Sequence, residues 1–295
     1  MESNFSVKIK KIVIVGSISF FFLGVFFVYQ SLKFNDGKLH VVFCDVGQGD
    51  AVFIRTPKGS DILVDGGPND SVLSCLANNM PFWDRDLELV ISTHPDADHS
   101  TGLVSVIKRY SVLSFAMANM ESSTNVFKEL IKSLDEKNIN RKFLKEKDRF
   151  VLTDDLILET EWPRFSKSTA SVLGAATSNS NTNEFSLIEL LTFGDFSLLL
   201  TGDAEIKATS VIARRIGKVN ILKVSHHGSK TGTDKEILKS LRPDLAVISV
   251  GKNNGYGHPS IIVMNALKEL GIKFLRTDLD KEIKITSDGK KWQVN

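Results

Sequence analysis

His94, Asp96, Asp98 and His99 fall within one hexapeptide, His94-Pro95-Asp96-Ala97-Asp98-His99. Four metal-capable side chains so close together suit a pair of divalent ions better than a single one. His94 and Asp96 can turn to one ion, Asp98 and His99 to its neighbour. Imidazole mixed with carboxylate favours Zn, Mn or Fe over Ca. The apolar run at residues 87–93 reads as a buried strand, so the hexapeptide occupies the loop at its end. Two later segments repeat that arrangement. The strand at 196–200 ends in Thr201-Gly202-Asp203, where a carboxylate can bridge two ions. The strand at 219–224 ends in Ser225-His226-His227-Gly228-Ser229, and at least one of those imidazoles is expected to be a ligand. Asn254-Gly255-Tyr256-Gly257-His258-Pro259 lies between a strand and a helix, in the kind of loop that carries function.

The elements that must position these residues follow from periodicity and breakers. Strands are expected at 39–45, 51–55 and 62–65, with Asp65 at a strand end in a supporting or structural role. Helices are expected at 71–78 and 101–110, a strand at 112–117, a helix at 123–137, and paired strands at 150–152 and 156–161. Residues 166–182, rich in Ser, Thr, Asn and Ala, read as a surface loop that could gate a substrate. A hairpin at 185–193 and 196–200 precedes a helix at 204–216. Helices at 233–241 and 260–270 then alternate with a strand at 245–250. Short strands at 273–276, 282–286 and 292–294 close the chain. Two runs of strands followed by strand–helix alternation predict a two-sheet α/β sandwich.

At 295 residues with 42% hydrophobic side chains, the chain can bury a sizeable core. Its net charge of +2 creates no global basic field, so any nucleic-acid binding must rest on a local patch. Cys44 and Cys75 are too few for a zinc ribbon or a disulfide framework; outside the cytoplasm they could form a single disulfide, but two unpaired core thiols are the expected state. Residues 12–32 carry no charge and, at roughly 20 residues, can cross a bilayer as a helix. Lys8, Lys10 and Lys11 precede this segment and only Lys33 follows closely. The charge asymmetry predicts a cytoplasmic N-terminus (1–11), an uncleaved anchor (12–32), a short tether (33–38) and an extracytoplasmic domain (39–295).

The combination His94-x-Asp96-x-Asp98-His99, Gly202-Asp203 and His226 resembles the metallo-β-lactamase superfamily, with Asp96 in place of the second His of the usual His-x-His-x-Asp-His. The segments 45–51, 63–67, 94–99, 200–203, 225–231 and 256–259 resemble, more narrowly, the C-terminal domain of ComEC-type DNA-uptake proteins. That resemblance implies an αββα four-layer sandwich with a dinuclear Zn or Mn site along one edge of the sheets. It implies His94 and Asp96 on one ion, Asp98, His99 and His226 on the other, and Asp203 between. Asn183 or Ser186 stands near the place of a further family His, making Asn183 a weak ligand. The implied activity is phosphodiester hydrolysis of DNA at the outer face of the membrane. Another extracellular ester or cell-wall phosphodiester, or a non-catalytic place in an uptake complex, is the alternative. Asp98 would orient the attacking hydroxide. His227 or His258 would protonate the leaving alkoxide or clamp the phosphate. Lys230, Tyr256 and Lys252 are candidates to contact substrate. Those transporters carry many membrane helices, of which this sequence shows one, so channel proteins are the expected partners.

Overall fold

The computed structural model describes residues 2–153, 155–164 and 182–295; the expected gating loop lies outside them apart from Thr182. Helix α1 (Glu2–Phe34) leads into β1 (Leu39–Phe43), β2 (Val52–Arg55), β3 (Asp61–Val64), α2 (Ser71–Asn79), β4 (Asp86–Leu87), β5 (Leu89–Ser92) and α3 (Ala97–Arg109). Then come β6 (Ser111–Val112), β7 (Phe115–Ala118), α4 (Asn125–Glu136), β8 (Arg141–Leu144), β9 (Arg149–Thr153) and β10 (Leu156–Trp162). The second half contains β11 (Ile188–Phe193), β12 (Phe196–Leu200), α5 (Ile206–Ile216), β13 (Ile221–Lys223), α6 (Lys235–Leu241) and β14 (Leu245–Ile248). It closes with α7 (Ile261–Glu269), β15 (Lys273–Arg276), α8 (Thr277–Asp280), β16 (Ile283–Ser287) and β17 (Trp292–Val294).

The strands form two large sheets, ordered β17-β16-β1-β2-β3-β5-β7-β8 and β15-β14-β13-β12-β11-β10-β9, with β4 and β6 paired apart. Successive side chains on a strand face opposite ways, and each sheet uses both faces. Val41, Ile54, Ile91, Leu158, Leu191 and Leu198 meet between the sheets. Val42, Phe53, Leu63 and Val90 turn outward under α2, α3 and α4. Leu199, Leu222 and Ala246 turn outward under α5, α6 and α7. The result is the expected αββα four-layer sandwich.

Several boundaries differ from the sequence reading. Helix α3 begins at Ala97, four residues early, because Asp96 takes an extended backbone (φ −69°, ψ 151°) and serves as its N-cap. Asp98 and His99 therefore project from the first helical turn rather than from a loop, and the positive end of the helix dipole favours the carboxylate there. Strand β8, exposed at a sheet edge and charged at Arg141 and Lys142, lacks the apolar pattern that would have revealed it. The helix continues through Phe34, and Asn35 N–H donates to Ser31 O at 3.0 Å, which shortens the tether.

Cys44 and Cys75 are a disulfide rather than two free thiols. Cys44 follows β1 and Cys75 lies on α2, which packs over that sheet and brings the two Cα atoms to 5.8 Å, within bridging range. The bridge closes a loop with a sequence separation of 31 residues. Replacing both cysteines by Ser is expected to destabilise the protein by roughly 3–4 kcal/mol through restored unfolded-chain entropy. The shift in urea midpoint of the full chain in detergent checks this.

Glu189 on β11 points into the layer between the sheets, where it is fully buried. Thr160 Oγ1 donates to its Oε1 at 3.0 Å and lies 3.2 Å from Oε2. Burial outweighs that hydrogen bond and pushes the carboxyl up from the ordinary 4.5 to about 8. The folded state therefore holds a proton the unfolded chain releases, and stability falls as pH rises between those two values. A Glu189→Gln variant should match the wild type at pH 4 and exceed it at pH 8 by roughly 2–4 kcal/mol. Urea unfolding of both proteins at the two pH values reads this directly.

Candidate metal centre

Strand ends, not a loop alone, build the site. Strand β3 delivers Asp65, β5 delivers His94, β12 delivers Asp203 and β13 delivers Lys223 with His226 and His227 beyond it. The first turn of α3 can sit directly on these ends because glycine lines the contact. A Cβ at Gly49 would lie 2.1 Å from Asp98 O, and one at Gly102 would lie 2.0 Å from Gly66 O. Gly66 N–H donates to His99 O at 2.7 Å. Ser100 is buried beneath this turn, and its hydroxyl donates to His94 O at 3.2 Å.

Asp98, His99, Asp203 and His227 converge, with ligand atoms all within 4.8 Å of one another. His227 Nε2 lies 3.3 Å from Asp98 Oδ2 and 3.4 Å from Asp203 Oδ2. His99 Nε2 lies 3.2 Å from Asp203 Oδ1. His94, Asp96 and Asp98 form a second group on the same scale, so Asp98 belongs to both. The family resemblance implies His226 beside Asp98 and His99. In the structure His227 stands there, its Nδ1 anchored 3.0 Å from Ser249 O. His226 sits at the rim with Nε2 3.6 Å from Asp203 Oδ2. Both histidines adopt left-handed backbone, φ 50° and 54°, a cost of the order of ~1–3 kcal/mol each that concentrates at functional sites.

A third group, Asp50, Asp65 and His99, uses the other nitrogen of the His99 ring, Nδ1. Asp65 Oδ2 accepts from His99 Nδ1 at 2.8 Å and from Thr93 Oγ1 at 2.7 Å, while its Oδ1 accepts from Thr93 N–H at 2.8 Å. Asp65 thus fixes the imidazole so that Nε2 faces Asp203, the supporting role a carboxylate plays behind a metal-bound histidine. Asp50 and Lys223 were not anticipated as site residues. Lys223 is 1% exposed; its ammonium contacts Asp50 Oδ2, donates to Gly202 O at 2.9 Å and lies 3.8 Å from Asp203 Oδ1. A lysine inside the apolar run Val219–Val224 was the available signal, since buried lysines are rare unless paired.

The electrostatics fit divalent cations. Burial raises the Asp203 and Asp50 carboxyls, yet both lie well below the ordinary range, Asp203 held down by His227 and His99 and Asp50 by Lys223 and His99. Burial lowers His227, but Asp203, Asp50 and Asp98 hold it up to about 9. His94, buried and beside His99, is pushed down to about 4 and stays neutral, as a ligand must be. Its Nδ1 meets Thr93 Oγ1 at 3.0 Å and Ser186 Oγ at 3.4 Å, while its Nε2 is buried without a hydrogen-bond partner. His99 Nε2 and Asp203 Oδ1 share that state. Buried polar atoms facing one another without hydrogen bonds are what bound cations would satisfy, with protons released on loading.

The remaining candidates lie around this cluster. Asp96 is half-buried and accepts from Thr182 Oγ1 at 2.9 Å. Asn183 lies in the turn Thr182–Phe185, and Ser186 next to it donates N–H to Asn183 O at 3.3 Å. The Ser186 hydroxyl, nearer the cluster, accepts from Asp203 N–H at 3.1 Å. The His258 ring stands 5.6 Å from that of His226 and is stacked 6.1 Å from Tyr256, which is exposed. Burial and the neighbouring His226 and His227 keep His258 below its ordinary value. Lys230 and Lys252 are exposed.

The two packed sheets, flanking helices and His/Asp cluster at their edge are the metallo-β-lactamase fold. The chain superposes on the metallo-β-lactamase fold protein YhfI from Bacillus subtilis with a TM-score of 0.51 at 11% identity, covering 81% of this chain and 96% of that one. It also superposes on Igni18, a metallo hydrolase from Ignicoccus hospitalis, with a TM-score of 0.54 at 14% identity, covering 83% and 98%. No family profile matches the chain.

In sequence the chain is distantly homologous, over most of its length, to competence proteins. It is 27% identical over 290 residues to ComE operon protein 3 of Bacillus subtilis, covering 92% of this chain and 35% of that protein. It is 33% identical over 227 residues to Recombination protein 2 of Haemophilus influenzae, covering 76% and 26%. Competence protein ComA of Neisseria gonorrhoeae is 25% identical over 269 residues, covering 87% and 33%. The chain therefore spans about a third or less of the length of these relatives.

Proposed function

We propose that this protein is a membrane-anchored, metal-dependent phosphodiesterase that acts on DNA outside the cytoplasm in connection with DNA uptake. The observation that carries the reading is the convergence of Asp98, His99, Asp203 and His227 beside His94 and Asp96, with buried ligand atoms left without hydrogen bonds. His94, Asp96 and Asp98 would hold one divalent ion, and Asp98, His99, Asp203 and His227 the other, with His226 at the rim and Asn183 a weak contributor. When bound, such a pair lowers the pKa of water and offsets charge on a phosphoryl oxygen. Asp98, shared by both groups, would orient the attacking oxygen. His258, kept neutral, would donate an N–H to the phosphate or leaving oxygen, and Lys230 and Tyr256 would contact the flanking strand.

The kinship with competence proteins supports the DNA-uptake context and channel proteins as partners. The apolar helix segment Lys11–Phe34 supports a membrane anchor, with 1–11 cytoplasmic and the hydrolase domain beyond the tether. The disulfide supports an oxidising, extracytoplasmic setting. The test is hydrolysis by the full chain in detergent, with Mn²⁺, Zn²⁺ or chelator. Single- and double-stranded DNA are compared with a model phosphodiester and a carboxylic ester. Metal-dependent DNA cleavage is the expected result. Turnover of the carboxylic ester alone would assign a different hydrolase, and inertness on every substrate would leave a binding protein.

A further inference from the structure

The loop between α2 and β4 carries two large aromatics into an unusual position. Phe82 is 53% and Trp83 39% exposed, whereas Met80 and Pro81 before them are buried and Asp84 N–H closes the turn onto Pro81 O at 2.9 Å. What the two rings do touch is α1. Phe82 lies 5.3 Å from Phe26, and Trp83 stacks on Phe27 at 4.4 Å between centroids. Those helix positions belong to the apolar segment Lys11–Phe34. They lie about 10–12 Å along the axis before its end at Phe34, at 1.5 Å per residue. The loop thus stands beside the helix below the level of Lys33.

Arg55 holds this arrangement rigidly. Its Nε donates to Phe34 O at 3.1 Å, and its Nη1 reaches Asp61 Oδ2 at 2.5 Å and Asp84 Oδ2 at 3.4 Å. One buried guanidinium therefore joins the end of the helix, the start of β3 and the aromatic loop. We propose that Phe82 and Trp83 insert into the outer interface of the bilayer as a second membrane contact, and so orient the domain with its metal centre facing away from the membrane. This rests on reading α1 as an anchor: the medium around Phe26 and Phe27 is then lipid, and rings stacked on them share it. Trp is a residue that an interface selects, apolar ring inward and the indole N–H at headgroup level, and Phe82 adds apolar surface beside it.

Strand direction sets the orientation. β1, β3 and β5 all run from this edge toward the site, ending before Asp45, at Asp65 and before His94, while Arg55 and the loop lie at their opposite ends. Strands of four or five residues at about 3.3 Å each put the His/Asp centre on the order of 15 Å or more from the membrane edge. A substrate reaches it from the aqueous side, as a soluble polymer does and a lipid headgroup does not.

The test uses the full chain in vesicles whose acyl chains are brominated near the headgroup or near mid-bilayer. The Trp83 emission is obtained as the difference between wild type and Trp83→Phe, with Trp162 and Trp292 as the common background. That difference should lose at least about half its intensity to the shallow bromines and less to the deep ones. Unquenched Trp83 in protein that stays with the vesicles through an alkaline wash would overturn the second contact and leave the anchor standing. Protein released by the wash would remove the anchor and the proposal with it.

Discussion

Asp98→Asn is expected to abolish metal-dependent hydrolysis while leaving the fold intact. The side chain is shared by the two groups of ligand atoms and reaches His227 Nε2 at 3.3 Å. Asn keeps the shape but loses the negative charge, and a neutral amide oxygen retains a divalent ion poorly. The residue lies half-buried on the first turn of α3, outside the packed apolar layers, so the fold should survive. Metal content by mass spectrometry and hydrolysis of a model phosphodiester should both collapse, while a single cooperative urea transition is retained in chelator. His258→Ala should behave differently, because the ring lies beyond His226 rather than within the cluster. Metal content should stay at the wild-type level and the rate should fall on the order of ~10²-fold, the lower range for one proton-donating group. Equal metal loss in the two variants would erase this division of roles.

Lys223→Met is expected to be among the most destabilising single changes in the domain when metal is absent. The ammonium is the fixed cation beside Asp50 and Asp203, both buried. Methionine fills the volume and leaves two carboxylates buried without it, at a cost of roughly 3–5 kcal/mol. Divalent ions would act on one of these carboxylates, Asp203, and bind only the folded state, so excess Mn²⁺ or Zn²⁺ should restore part of the loss. Urea unfolding in chelator and in metal separates these contributions. An unchanged midpoint in chelator would mean that Lys223 is not the charge on which the cluster depends.

What was legible in the sequence was whatever depends on local pattern. Apolar runs ending in His94, Asp203 and the His226-His227 pair marked strand ends carrying candidate ligands, since a short buried strand needs little beyond its own side chains to be recognised. The strands at 196–200, 273–276 and 292–294 were readable to the residue, and the two-sheet sandwich followed from their order. Tertiary structure decided what depends on approach between distant segments. His227 rather than His226 meets Asp98 because Ser249 O, from the end of another strand, holds its ring. Lys223 and Asp50 join the site only when β13 is laid against the loop after β1. Cys44 and Cys75 bond because α2 packs over β1, a proximity no spacing of two cysteines can express. The aromatic loop likewise has meaning only beside the helix it touches. Periodicity records which face of an element is buried, whereas charge pairs, disulfides and ligand geometry depend on which faces then meet.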